Sequence, residues 1–228
     1  MCINKKNGGG LTIMNFTAQE TSAKTKLFGF TIAQKSKINI LKIMVLVFLV
    51  VCVVGTSVSC LGFQKEDDLA SEKLSSACTA LAQGNQTLAI ALLDETITKF
   101  SKTPSAYRAR LVKADILTNS GSYDDALSIL NETVNAGKPD VIKPLARARI
   151  IYVYDSKKDY SNAIVASKEF IDKYPDHFLV KDISLNLAQY HLTLGSKDKA
   201  IKAFNEVLIN FPKTREAKKA QNRINEIK

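Results

Sequence analysis

The sequence predicts an all-α fold: an α-α solenoid of four helical hairpins plus a C-terminal capping helix, preceded by one N-terminal hydrophobic membrane segment. Two observations predict it. Small and aliphatic residues recur every 37 residues from about residue 66 onward, and an uncharged stretch, 43–63, precedes them. We therefore divide the chain into a basic segment 1–42, predicted to be disordered, a signal or transmembrane segment 43–63, and a helical repeat domain 66–228.

The repeat is most regular in the second helix of each hairpin. One position is always alanine, in Ala89, Ala126, Ala163 and Ala200. The position five residues earlier is glycine in three repeats and lysine in one: Gly84, Gly121, Lys158 and Gly195. A fixed period between about 20 and 50 residues is typical of repeat arrays, in which each unit packs only on its neighbours.

Each repeat is predicted to be two antiparallel helices joined at the glycine position, since glycine adopts positive φ without steric cost. The first helices are predicted over 68–82, 105–119, 142–155 and 180–194, and the second over 86–99, 123–135, 160–173 and 197–210. Pro175 and Pro212 end two of the second helices, because the residue before a proline is disfavoured in the α region. A charged last helix, 215–227, caps the stack.

The positive charge is concentrated outside the repeats. Of the net charge of +10, residues 1–63 contribute +6 and the remaining residues +4. A nucleic-acid surface needs a concentrated basic stripe with base-reading or aromatic groups, and the repeats show none. We therefore expect no nucleic-acid partner.

The stretch 43–63 has the features of a secretory signal or a membrane anchor. Lysines precede a strongly apolar run, 43–54, and small residues follow it. Ser57-Val58-Ser59-Cys60 resembles a bacterial lipobox, in which the cysteine is lipidated, although Ser57 stands where leucine is usual. Lipidation at Cys60, an uncleaved single span and cleavage near Ser59 remain open.

All three alternatives give the same orientation. Basic residues before the apolar run place the N-terminus in the cytoplasm by the positive-inside rule. The repeat domain is then expected on the extracytoplasmic, periplasmic side of the membrane.

No arrangement of residues indicates catalysis. The four cysteines lack metal-ligand spacing, and the two histidines, His177 and His191, adjoin no nucleophile in a recognised motif. No glycine-rich phosphate loop is present. We therefore expect no enzyme activity, no cofactor and no metal.

The repeats resemble tetratricopeptide repeats, which have small residues in both helices, an aromatic residue late in the second and a closing proline. The small or aliphatic first-helix position is Ala77, Ala114, Ile151 and Ala188, and the aromatic position is Phe100, Tyr174 and Phe211. The usual tryptophan is absent, and the period is 37 rather than 34. The longer linker with Tyr174-Pro175-Asp176 is similar to bacterial envelope members. These include the lipoprotein of the outer-membrane β-barrel assembly machinery, the periplasmic cell-division coordinator and the ancillary translocon subunit.

The resemblance implies that the first helices line a concave groove that binds proteins. It places nine positions in this groove: Arg108, Leu111, Asp115, Asn119, Tyr152, Asp155, Asp182, Leu185 and Gln189. It also implies a membrane-attached scaffold that binds envelope proteins or peptides, accessory to the assembly of outer-membrane or secreted proteins. The alternative is a structural spacer in the envelope or division machinery that binds no client.

Overall fold

The structure is a computed structural model that describes residue 42 and residues 44–52, 64–136 and 140–227. The chain divides into two units, Met1–Gly62 and Phe63–Lys228. The domain limits drawn from the sequence stay predictions.

In the first unit, residues 44–52 are helical and their side chains are exposed. The rest of the predicted membrane segment 43–63, including Cys60, lies outside the described residues. Within the part of the chain that the structure describes, no helix is long and apolar enough to cross a membrane.

The second unit is helical throughout its described residues. Helix α1 covers residues 64–82. It is followed by α2 (Gln86–Lys99), α3 (Pro104–Asn119), α4 (Tyr123–Asn135), α5 (Ile142–Ser156), α6 (Tyr160–Lys173), α7 (Val180–Thr193), α8 (Lys197–Asn210) and α9 (Arg215–Ile227). The predicted solenoid of helical hairpins with a last helix is confirmed, and the second helices α2, α4, α6 and α8 have the predicted bounds.

Each helix packs against the next one along the chain, and some first helices also meet across hairpins. Helix α3 contacts α5, and α7 contacts α9, whereas no two second helices make comparable contact within the described residues. At these two places the helices on the first-helix side lie closer together than neighbouring second helices do, as on the inner side of a curved stack. We call the surface of α3, α5 and α7 on this side the inner face.

The hydrophobic core is a series of small clusters, each built from three successive helices. The cluster of α3, α4 and α5 contains Leu111 and Leu130, and that of α7, α8 and α9 contains Phe204 and Ile224. The four alanines of the repeat are fully buried at 0% exposure. A larger side chain at these positions would hold the paired helices apart, which is why the period is strictest there.

Candidate protein-binding groove

Successive first helices place equivalent residues side by side on the inner face. Residues 37 apart occupy the same position in neighbouring repeats, as in the row of Asp115 on α3, Tyr152 on α5 and Gln189 on α7. The same position of α1 is Cys78, whose side chain is exposed. The row therefore changes chemistry from thiol to carboxylate, phenol and amide along the stack.

The structure places most of the predicted groove residues at an accessible surface. Arg108, Asn119, Tyr152 and Asp182 are exposed, with Tyr152 at 48%. Another four are half-buried: Asp115, Asp155, Leu185 and Gln189.

Leu111 differs from the other predicted groove residues. It is only 4% exposed and packs with Tyr107 and Leu130 in the cluster of α3, α4 and α5. Its side chain supports the helices beneath the inner face and is not available to a partner at the surface.

An ion pair links two first helices across the inner face. The Nε of Arg149 on α5 donates to both carboxylate oxygens of Asp115 on α3, at 2.9 and 3.1 Å. The sequence prediction included Asp115 but missed Arg149. The available signal was the spacing between the two residues. Arg149 follows Asp115 by 34 residues, three fewer than the repeat of 37, so it lies about one helical turn before the position equivalent to Asp115.

Two carboxylates on this face are partly removed from water. Burial raises the pKa of Asp115, and the charge and hydrogen bond of Arg149 act in the opposite direction. Burial alone raises the pKa of Asp155, whose side chain makes no hydrogen bond or ion pair with the described residues. Burial also raises the pKa of Tyr190, and the nearby charge of Asp155 raises it further. Asp155 is therefore a half-buried acceptor without a partner among the described residues.

Polar side chains on the inner face have free hydrogen-bonding capacity. Among the described residues, no hydrogen bond or ion pair involves the side chains of Arg108, Asn119, Tyr152, Asp155, Asp182 or Gln189. They offer guanidinium, amide and phenol donors together with carboxylate acceptors. Such a mixed set matches the backbone and side chains of a protein segment better than a single small ligand.

The described residues contain no group of histidine, cysteine or acidic side chains that could hold a metal ion. A stack of helical hairpins with a polar inner face belongs to the class of helical-repeat scaffolds. Within that class, the chain belongs to the tetratricopeptide repeat-like domain family, whose model matches residues 39–228. Tetratricopeptide repeat proteins are generally scaffolds without enzyme activity that bind other proteins.

Solved structures show the same fold. One is a tetratricopeptide repeat protein from Parabacteroides merdae, with a TM-score of 0.56 and 13% identity; the match covers 69% of this chain and 59% of that one. Another is MamA from Desulfovibrio magneticus RS-1, with a TM-score of 0.51 and 15% identity, covering 69% of this chain and 92% of that one. At these identities the likeness concerns the fold alone. No curated protein matches the chain.

Proposed function

We propose that this protein is a membrane-attached scaffold that binds an extended protein segment along the inner face. The observation that carries the proposal is the set of unpaired polar side chains on α3, α5 and α7. Asp155 and Gln189 of this set are half-buried, where a polar group without a partner is unfavourable, and a bound segment would satisfy them. Exposed Arg108 and Tyr152 are of the residue types that most often dominate binding energy.

Attachment to a membrane is supported by the sequence before the repeats. The lysines at 35, 37 and 42 and the apolar run 43–54 have the order of a signal or anchor. The family match begins at residue 39 and so includes this run together with the repeats. A retained anchor, lipidation at Cys60 and cleavage near Ser59 remain the three alternatives for this run.

The resemblance to bacterial envelope proteins suggests the cellular role. We propose that the repeat domain works on the extracytoplasmic side, in the assembly of outer-membrane or secreted proteins. In-cell cross-linking, detergent extraction and mass spectrometry test this role. Barrel-assembly or translocon proteins among the cross-linked partners support it, whereas division or peptidoglycan proteins alone, or no partner, favour the spacer.

Binding along the inner face is tested by replacing two exposed side chains. We expect Arg108→Ala with Tyr152→Ala to reduce recovery of cross-linked partners while leaving the thermal unfolding temperature nearly unchanged. The matched control is Phe178→Ala with Arg215→Ala, which removes an exposed aromatic from the turn before α7 and an exposed arginine from the start of α9. Equal losses in both variants, or a parallel loss of stability, would show that the inner face is not the binding surface.

A further inference from the structure

The second helices form a cleft of their own, separate from the inner face. A cleft between α6, α7 and α8 is lined by charged and apolar side chains: Lys168, Leu187, His191, Lys199, Lys202, Ala203 and Glu206. We call it the basic cleft. Three lysines and a histidine from three helices surround an apolar floor of Leu187 and Ala203.

The preceding repeat has the same cleft without the lysines. Positions 37 residues earlier line a cleft between α4, α5 and α6, which includes Asn131, Tyr154, Asn162, Val165 and Glu169. Lys168, Lys199 and Lys202 thus replace two asparagines and a valine. Because the same helix packing forms with neutral side chains, the fold does not require the lysines.

An ion pair of the preceding repeat is also missing here. In the earlier cleft, an Nη of Arg147 donates to a carboxylate oxygen of Glu169 at 3.3 Å. The equivalents are Ser184 and Glu206, and neither makes a side-chain hydrogen bond or ion pair with the described residues. The basic cleft therefore combines new positive charges with the loss of an internal arginine.

The lysines of the basic cleft repel one another, and none of them is paired with the carboxylates that also line the cleft. Lys168, Lys199 and Lys202 are exposed and form no ion pair within the described part of the chain. The lysines also affect His191. Burial lowers the pKa of His191, and the charges of Lys168 and Lys199 lower it further. An anionic ligand would offset this mutual repulsion.

The distribution of charge identifies the class of ligand. The cleft continues along α6 and α8 past Asp172, Ser184 and Phe211, so that its acidic side chains, Asp172 and Glu206, accompany the lysines. A uniformly anionic lipid surface would place negative charge against these carboxylates as well as against the lysines. A protein segment can instead place its acidic side chains against the lysines alone. The apolar floor in addition suits a hydrophobic side chain and not a bare phosphate.

We propose that the basic cleft binds an acidic segment of a partner protein. The carboxylates of the segment contact Lys168, Lys199 and Lys202, and a hydrophobic side chain packs on Leu187 and Ala203. The site uses α6, α7 and α8 and none of the predicted inner-face residues of α3 and α5. It can therefore be tested separately from binding along the inner face.

The test uses the full chain in a non-ionic detergent and a fluorescein-labelled peptide in which glutamates flank a leucine. A second peptide has glutamine in place of every glutamate. We expect the acidic peptide alone to bind. Replacing the lysines with the residues of the preceding repeat, Lys168→Asn, Lys199→Asn and Lys202→Val, should weaken binding about tenfold or more, with folding checked by circular dichroism.

The matched control removes the same charge elsewhere, through Lys102→Gln, Lys218→Gln and Lys219→Gln at exposed positions. It should change the affinity by about twofold at most, as expected for general screening. Equal weakening in the two triple variants, or equal binding of the two peptides, would overturn the proposal. So would binding to phosphatidylglycerol vesicles that needs the same three lysines and prevents peptide binding.

His191 provides a readout that mere loss of charge would not imitate. Glutamates of the bound peptide beside Lys168 and Lys199 should raise the pKa of His191. Peptide binding should therefore take up protons, and the affinity should increase as pH falls through the range in which His191 titrates. The charged groups facing His191 are Lys168 from α6 and Lys199, Lys202 and Glu206 from α8. The proton resonances of the two histidine side chains can be used to measure the pKa of His191 with and without peptide. An unchanged titration of His191 with bound peptide would contradict binding in the basic cleft.

Discussion

At the scale of single residues, the first three repeats keep a similar total volume across two core positions. Four residues after the repeat alanine stand Leu93, Leu130, Ser167 and Phe204, and seven residues after it stand Thr96, Thr133, Phe170 and Val207. These side chains are all buried. In the third repeat a small serine precedes a large phenylalanine, whereas the first two repeats combine leucine with threonine. The same space is filled in a different order, as close packing requires.

This exchange leaves one polar atom without a partner and gives the first prediction. The hydroxyl of Ser167 is buried and makes no hydrogen bond, whereas that of Thr133 donates to the carbonyl of Ile129 at 2.7 Å. Ser167→Ala should stabilise the protein by about 1 kcal/mol, because it removes an unsatisfied buried group at little loss of volume. Chemical denaturation measures the difference, and the control Thr133→Val should instead destabilise. Destabilisation by Ser167→Ala would mean that the hydroxyl is satisfied.

The second prediction concerns Asp155. Because burial raises the pKa of Asp155, the folded protein binds this proton more tightly than the unfolded chain does. The contribution to stability is therefore present below the ordinary value of 3.8 and is lost as pH rises through the raised pKa. Asp155→Asn should raise the thermal unfolding temperature at neutral pH, with a difference that disappears in acid.

A series of thermal unfolding curves at different pH values measures this difference. The exposed Asp182→Asn on α7 is the control and should show little effect. If Asp155→Asn lowers stability at neutral pH, the carboxylate has a favourable partner in the folded state. If it stabilises the protein but weakens partner binding, the half-buried charge is retained for binding at a cost in stability.

The residues of the inner face show how far the sequence predicts a site. The resemblance to tetratricopeptide repeats places Arg108, Asp115 and Tyr152 on one side of the first helices; Asp115 and Tyr152 are equivalent positions, and Arg108 lies two helical turns before Asp115. The resemblance does not predict that Leu111 is buried or that Arg149 meets Asp115. Those outcomes depend on the offset between neighbouring hairpins, which arises from side-chain packing across the whole repeat and not from the period.

At the scale of the elements, the turn between the two helices of a hairpin depends on one backbone conformation. Gly84, Gly121 and Gly195 have φ of 78°, 83° and 73° in this turn, and the equivalent Lys158 has φ of 61°. A Cβ added to these glycines would meet nothing within 4 Å. The preference for glycine is therefore a property of the backbone and not of neighbouring side chains.

The third prediction follows from the exception in this turn. A lysine in the left-handed region costs about 1–2 kcal/mol. Glycine avoids this cost, but it loses more conformational entropy on folding, which offsets part of the gain. Lys158→Gly should therefore stabilise the protein by about 0.5–1 kcal/mol. The converse change, Gly195→Ala, should destabilise it by about 1 kcal/mol. Denaturant unfolding of both variants measures these values, and the same sign for both would show that the turn is not governed by φ.

The helix bounds were predictable where the chain carries strong stop signals. Helices α4, α6 and α8 lie between the turn position and a proline or glycine, and the predicted bounds of all four second helices match the structure. Helix α3 was predicted to begin at Ser105 but begins at Pro104. Proline is favoured in the first turn, where its missing N–H needs no partner, and the Thr103 hydroxyl accepts from the N–H of Ala106 at 3.2 Å.

At the scale of the whole repeat domain, stability depends on contacts between neighbouring units. The core clusters each join three successive helices, and Phe211 packs against two of them, the cluster of α5, α6 and α7 and that of α7, α8 and α9. In such a stack stability is approximately the sum of units and interfaces, so that loss of one interface should act mainly on its neighbours. The end of the stack is the place where this can be tested most directly.

The fourth prediction is that detaching α9 unfolds the C-terminal end before the rest of the domain. Ile224 of α9 is 4% exposed and packs in one cluster with Phe204 and Val207 of α8. Ile224→Asp would bury a charge, so α9 should separate and expose the apolar surface of α8. Hydrogen exchange should then show lost protection in α9 and α8 with little change in α2 and α3. Asn222→Asp adds the same charge at an exposed position of α9 and should leave protection unchanged. Uniform loss of protection from α2 to α9 would instead mean that the described repeats unfold as one cooperative unit, through couplings such as the packing of Phe211 between two clusters.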